Sequence, residues 1–221
     1  MCVKTPVNAK TLKQHLTYNW WKYLLVVLFA IFGTDLLYTV TAYRSPPEKR
    51  VDFYVYGAMD EEKMDAYMEK IRVDQMSDME VMDASLMIPD ASYGAMQLST
   101  YLAAGEGDLY LLPREEFMSY AGGGAFLALE EDTELMNLFT EANLSLQSGW
   151  RKNTEEEVSH LYGIPISRLP GLSNYAYAKD GYLCVLVTGG NNDNTLKFLH
   201  ILCADMIEPE EPVPSPEAGT P

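Results

Sequence analysis

An α/β domain with an open, mostly parallel sheet, preceded by one transmembrane helix, is the architecture that these 221 residues predict. Two observations lead there. The run from Trp20 to Tyr43 carries only Lys22 and Asp35 as charges, and a bilayer core needs roughly 20 mostly apolar helical residues. From Val51 to Met206, short strand-like runs alternate with stretches of helical periodicity, the pattern of a sheet whose strands are joined by crossover helices. A tail from Glu208, with five prolines, four glutamates and almost no apolar bulk, cannot build a core and is expected to be disordered. The predicted boundaries are a leading segment at 1–19, the span at 20–43, a linker at 44–50, one lobe at 51–207 and the tail at 208–221.

Lys4, Lys10, Lys13 and Lys22 precede or open the apolar run, with no acidic residue among them. The positive-inside bias then places residues 1–19 in the cytoplasm and the main domain outside the cell membrane, although Arg44, Lys49 and Arg50 reduce the asymmetry. Trp20, Trp21 and Tyr23 at one end and Tyr38 and Tyr43 at the other suit the two interfacial belts. An uncleaved anchor is preferred to a signal peptide because both the basic segment and the apolar run exceed a signal's usual length. Val40-Thr41-Ala42 does carry the small-residue pattern of a cleavage site. Cys2 precedes the apolar run and reads as an ordinary thiol, not a lipid-bearing one. Asp35 is costly at membrane depth. Thr34, Asp35, Tyr38 and Ala42 share one helical face of polar or small residues, as interfaces between membrane helices do. A partner helix and a protonated Asp35 in the outer leaflet explain that face equally well.

Of the 16 Lys and Arg, four lie before residue 44, and of the 32 Asp and Glu only Asp35 does, so residues 44–221 carry a net charge of −19. Nucleic acid and anionic lipid surfaces are held through Lys and Arg and would repel this domain, so neither is an expected partner. Cys2, Cys184 and Cys203 make no disulfide framework. Cys184 lies in an apolar run and Cys203 on a helical face, so buried free thiols are expected, with a Cys184–Cys203 bridge as the alternative.

Ser45-Pro46-Pro47 ends the membrane helix, since proline cannot continue it. Val51–Tyr56 alternates at period two and stops at Gly57, a strand. Asp60 to Ile71 sets Met64, Tyr67, Met68 and Ile71 at helical spacing behind an acidic first turn that suits the helix dipole. Glu80–Met87 is a second strand. A helix over Ser92–Ala104 turns Ala95, Leu98 and Leu102 to one face, Gly105-Glu-Gly107 closes it, and Asp108–Leu112 is a short buried strand. Pro113 opens another helix to about Tyr120, ended by Gly122-Gly-Gly124. The segment Glu134–Phe139 follows. Leu161–Ile166 is strand-like around a turn, Tyr182–Val187 a buried strand, and Asn194 to about Met206 the last helix.

Three stretches in this order carry a resemblance. They are Leu102-Ala-Ala-Gly-Glu-Gly-Asp-Leu-Tyr-Leu-Leu-Pro-Arg114, the apolar segment Phe117 to Leu129, and Leu161-Tyr-Gly-Ile-Pro-Ile-Ser167. Together they resemble the first lobe of the extracellular solute-binding proteins of bacterial ABC importers, of the maltodextrin type, over residues 51–204. The resemblance implies a single solute-binding-like lobe. The family's second lobe is missing, because Ser173–Asp180 leads straight to Tyr182–Val187, and so is its usual lipoprotein cysteine.

In an open α/β sheet the crevice lies at the carboxyl ends of the strands. Met59, Arg114 and Arg168 fall at such ends, and the guanidinium groups match a carboxylate or sulfonate in shape, so these three are the candidate ligand-binding residues. Pairing of both arginines with the abundant Asp and Glu is the stronger expectation. No nucleophile stands with a base and a group to orient that base. His160 and His200 are the two histidines past the span, and neither belongs to a His/Cys cluster at metal-ligand spacing. Gly122-Gly-Gly124 lacks the Lys-Ser/Thr of a phosphate loop and reads as a turn, and Glu115-Glu116 and Glu130-Glu131-Asp132 read as solvated helix ends. Asn143-Leu-Ser145 is a glycosylation sequon that matters only in a glycosylating secretory pathway. The expectation is a non-catalytic, cofactor-free, membrane-anchored module that binds a small solute, a peptide or an envelope protein. An accessory subunit docking through Thr34, Asp35 and Tyr38 is the alternative.

Overall fold

The computed structural model describes residues 9–41, 43, 45–90, 93–154 and 157–207. The tail 208–221 and the first part of the leading segment lie outside the described residues. The chain divides between residues 44 and 45 into two units. The first is one helix, α1 (Ala9–Thr41), in which Asn19 leaves helical geometry (φ −115°, ψ 15°) and makes a kink just before Trp20. Thr17–Thr41 is long and apolar enough to cross a membrane, with a mean hydropathy of 2.0. The Thr34, Thr39 and Thr41 hydroxyls bond within the helix. Thr34 donates to the Ala30 carbonyl at 2.7 Å, Thr39 to that of Asp35 at 2.9 Å and Thr41 to that of Leu37 at 2.6 Å.

The second unit is built on a five-stranded sheet. Its first half holds β1 (Arg50–Tyr56), β2 (Ala58–Met59), α2 (Glu61–Asp74), β3 (Val81–Met87), α3 (Tyr93–Ala104), β4 (Leu109–Leu112) and α4 (Arg114–Ala121). Then follow α5 (Thr133–Glu141), β5 (Trp150–Lys152), β6 (Ser159–Leu161), β7 (Ile164–Pro165), β8 (Ala176–Tyr177), β9 (Tyr182–Val185) and α6 (Asn192–Ile207). The strand order is β3-β1-β4-β9-β7. β3, β1 and β4 are parallel, whereas β9 runs antiparallel to both β4 and β7. The sheet is therefore mixed, which corrects the mostly parallel expectation. Parallel neighbours need a crossover of a dozen or more residues, usually helical. Between β7 and β9 the chain makes only 3₁₀ turns and the two-residue β8, so it returns antiparallel.

Alternation along β1 creates two cores. Val51, Phe53 and Val55 pack with Met64, Met68 and Ile71 of α2 and with Phe198, Leu199 and Leu202 of α6. Tyr56, on the opposite face, joins Leu98 of α3, Phe117 and Ala121 of α4, and Tyr110 and Leu112 of β4. The α3 face differs from expectation: Gly94 and Leu98 are buried and Ala95 is exposed, because Gly94 has to pass close to the Tyr56 ring. β9 divides in the same way, with Leu183 and Val185 in the first core and Tyr182 and Cys184 in the second. Cys203 belongs to the first core, so the sheet separates the two thiols and both are free and buried.

Residues 45–49 are fastened to this unit. Asn194 donates to the Glu48 carbonyl at 3.2 Å, Asn191 to that of Arg50 at 2.7 Å, and the Lys49 ammonium lies 3.0 Å from Glu80. Beside this point Asp108, 4 % exposed, accepts the Asp52 N–H on its carboxylate at 2.8 Å. Its own N–H goes to the Asp52 carbonyl and its carbonyl takes the Leu186 N–H, tying β1 to the end of β9. Burial pushes the Asp108 carboxyl up to about 6, against the pull of the Asp52 N–H.

Two predictions follow from this packing. Between pH 3.8 and about 6 the folded state holds a proton on Asp108 that the unfolded state has lost, so its contribution is fully present below 3.8 and vanishes as pH rises through 6. Asp108→Asn keeps the acceptor for the Asp52 N–H and removes the titration. Denaturant unfolding should find the variant more stable than wild type at pH 7.5, by on the order of 2 kcal/mol, with the difference closing toward pH 4. Burial also raises both thiols above their ordinary range, so a maleimide should label Cys184 and Cys203 only at the rate of unfolding. Labelling that runs ahead of unfolding would refute the burial.

Candidate functional site

The carboxyl edge of the sheet is shaped by two short devices. After β1 the chain turns at Gly57, whose α-carbon lies so near the Tyr177 carbonyl that a side chain there would collide with it. That approach lets β2 pair with β8, Ala58 opposite Tyr177 and Met59 opposite Ala176. The second device is the tight turn Ala178–Gly181, closed by the Gly181 N–H on the Ala178 carbonyl at 3.1 Å. The Arg114 N–H holds this turn at the Lys179 carbonyl (3.3 Å), and the Ile166 N–H holds it at that of Gly181 (3.0 Å). Asp180 sits in the turn at φ +48°, a left-handed conformation that Asp tolerates better than most residues.

Between these devices lies a depression of 540 Å³, lined by Arg114, Ser148, Ser167, Tyr177, Asp180 and Tyr182 among others. Ile166 and Pro170 supply apolar surface to it, with Pro165 and Leu169 buried. Tyr177 is 54 % exposed and offers its ring. Among the described residues, neither Arg114 nor Asp180 has a side-chain hydrogen bond or ion pair, with each other or with anything else.

Of the three residues read from the sequence as ligand-binding, the structure brings only Arg114 here. Arg168 donates from Nε to the Ser145 carbonyl at 3.0 Å. Met59 packs on the first core. The expected ion-pairing of both arginines is also corrected, since Arg168 uses a carbonyl and Arg114 nothing among the described residues. Tyr177 and Asp180 were missed. The Asp180-Gly181 pair signals a turn, but nothing local says that the turn meets the start of α4.

On α1, Thr34, Asp35 and Tyr38 do share a face, together with Val27, Ala30 and Ile31. The Thr34 hydroxyl is satisfied internally, while the Asp35 carboxyl has no partner among the described residues.

Glu130 and Asp132 are not the solvated acids expected. Glu130 holds the His160 Nδ1 at 2.5 Å and accepts the Leu161 N–H at 2.9 Å, pinning β6 to the 3₁₀ turn at Leu129–Glu131. Asp132 accepts the Leu135 N–H and caps α5. Ser159, next to His160, is exposed. Among the described residues no group of three His, Cys, Asp or Glu is placed to hold a metal ion.

No protein-family model and no curated protein matches the chain. Among solved structures it is similar in part to an extracellular solute-binding protein family 1 from Alicyclobacillus acidocaldarius, at 23 % identity over 55 % of this chain and 29 % of that one, with a TM-score of 0.41. It is also similar to an N-glycan transport solute binding protein, NgtS, from Streptococcus pneumoniae, at 18 % identity over 54 % of this chain and 25 % of that one, with a TM-score of 0.39. An uncharacterized protein from Listeria monocytogenes gives 14 % identity over 53 % and 28 %, with a TM-score of 0.41. The chain spans less than a third of the length of each.

Proposed function

We propose that this chain is a single-pass membrane protein that displays a non-catalytic solute-binding-like lobe outside the cell, with its ligand site in the Arg114 depression. The orientation rests on the lysines that lead the apolar run. The observation that carries the ligand site is Arg114. An unpaired guanidinium in a domain of net charge −19 stands beside an apolar surface and three serines at the carboxyl edge of the sheet, where α/β folds place their ligands. Volume agrees, since 540 Å³ falls within the ~300–1,000 Å³ usual for small-ligand sites. Thermal unfolding of the full chain in detergent against sugars, amino acids, peptides and anions tests the reading. A ligand that binds only the folded state raises the midpoint by mass action. The shift should vanish in Arg114→Ala and survive in Arg168→Ala; loss in both variants, or in neither, would remove Arg114 from the site.

A second reading draws on Asp35. The threonine hydroxyls of the span bond within the helix and its carboxyl does not, and an ionised carboxylate inside a membrane span is costly. An accessory subunit would recover that cost by pairing Asp35 with a polar or basic group on a neighbouring membrane helix. Co-purification from membranes of wild type and Asp35→Leu separates the readings: a partner lost only in the variant supports the accessory role, and an unchanged set of partners removes it.

A further inference from the structure

The depression holds two unpaired charges of opposite sign, and this narrows what fits it. Arg114 enters from the first turn of α4, and Asp180 from the Ala178–Gly181 turn that the Arg114 N–H itself holds in place. The backbone therefore sets both groups on the rim of one site. They do not pair with each other, and among the described residues neither finds another partner. Unlike Lys49, Arg50, Lys63, Arg72 and Lys152, which pair with carboxylates, Arg114 and Asp180 leave their charges available to a ligand.

We infer that the depression binds a zwitterion, an amino acid or dipeptide with an apolar side chain, whose carboxylate meets Arg114 and whose ammonium meets Asp180. A guanidinium forks onto a carboxylate with two parallel hydrogen bonds. A carboxylate such as Asp180 offers two oxygens to an ammonium. Ile166, Pro170 and the exposed Tyr177 ring give the depression apolar and aromatic surface beside its polar groups. That surface accepts a hydrocarbon or ring. Ser148, Ser167 and Ser173 add neutral groups for the amide of a dipeptide.

The inference rests on the reading of the Arg114 depression as a ligand site, and the experiment keeps the two apart. Isothermal titration of the full chain in detergent uses L-phenylalanine and L-alanyl-L-phenylalanine, their N-acetyl forms, their C-terminal amides, and maltose. The free zwitterions should bind, and capping either end should weaken binding about tenfold or more, as loss of a charge-assisted hydrogen bond does. Arg114→Ala should erase the preference for a free carboxylate and keep that for a free ammonium; Asp180→Asn should do the reverse. Equal binding of capped and free forms, or binding of maltose alone, overturns the zwitterion and leaves the site standing. No binding by any probe, with the folded state verified by its unfolding transition, overturns the zwitterion; with no shift against the wider solute set either, the site falls too.

Discussion

Strand β1 is covered on both faces and flanked by parallel strands on both edges, and the rest of the lobe follows from satisfying it. Val51, Phe53 and Val55 need α2 and α6 on one side; Tyr54 and Tyr56 need α3, α4 and β4 on the other. Tyr54 stacks on Tyr110 with ring centroids 5.4 Å apart and meets Tyr101 edge-on at the same distance. The loop before β4 can pass that ring only because Gly107, at φ +81°, has no side chain to strike it. Even the polar positions of β1 are constrained. Asp52 gives its N–H to the Asp108 carboxylate and pairs its own carboxylate with Arg50 at 2.7 Å.

Much of this was legible in the sequence, because local signals coincide with burial. The period-two run Val51–Tyr56 and the helical set Met64, Tyr67, Met68 and Ile71 stand where expected, with Asp60 capping α2 through the Lys63 N–H. The direction of β9 was not legible, since an apolar run of four to six residues reads alike from either end. Nor was the depression. Its walls come from segments more than sixty residues apart, and the bond from Arg114 to the Lys179 carbonyl has no signature in either. Arg168 shows the opposite limit. Its position after a strand end was read correctly, yet a 3₁₀ turn over Ile166–Arg168 swings its guanidinium onto the Ser145 carbonyl.

The acidic composition has a structural use that a net charge conceals. Asp60, Asp90 and Asp132 each accept an N–H at the start of a helix, where the dipole favours negative charge, and Glu130 binds a backbone N–H and an imidazole together. These carboxylates supply the partners that the orphaned backbone donors lack, and Asp60 also pairs with the Lys63 ammonium at 2.8 Å. Most ion pairs that do form are on the surface, where each is worth little. The fold thus draws part of its electrostatic order from carboxylate-to-backbone bonds.

That economy bears on what a one-sided site can do. A ligand in the Arg114 depression would meet β7, β8, β9 and the start of α4, whereas small-molecule sites usually bury 70–90 % of a ligand's surface. Apolar contact alone is then a weak source of affinity, because the face of the ligand turned away stays in water. Charge-assisted hydrogen bonds need a fixed geometry, and the turn at Ala178–Gly181 is fixed by three backbone bonds. An open site on a rigid rim discriminates by the placement of charge more than by the shape of a cavity. It also leaves the ligand's outer face available, so a second protein that covers it would add apolar burial to a contact already oriented, and the binding of solute and of partner would reinforce each other.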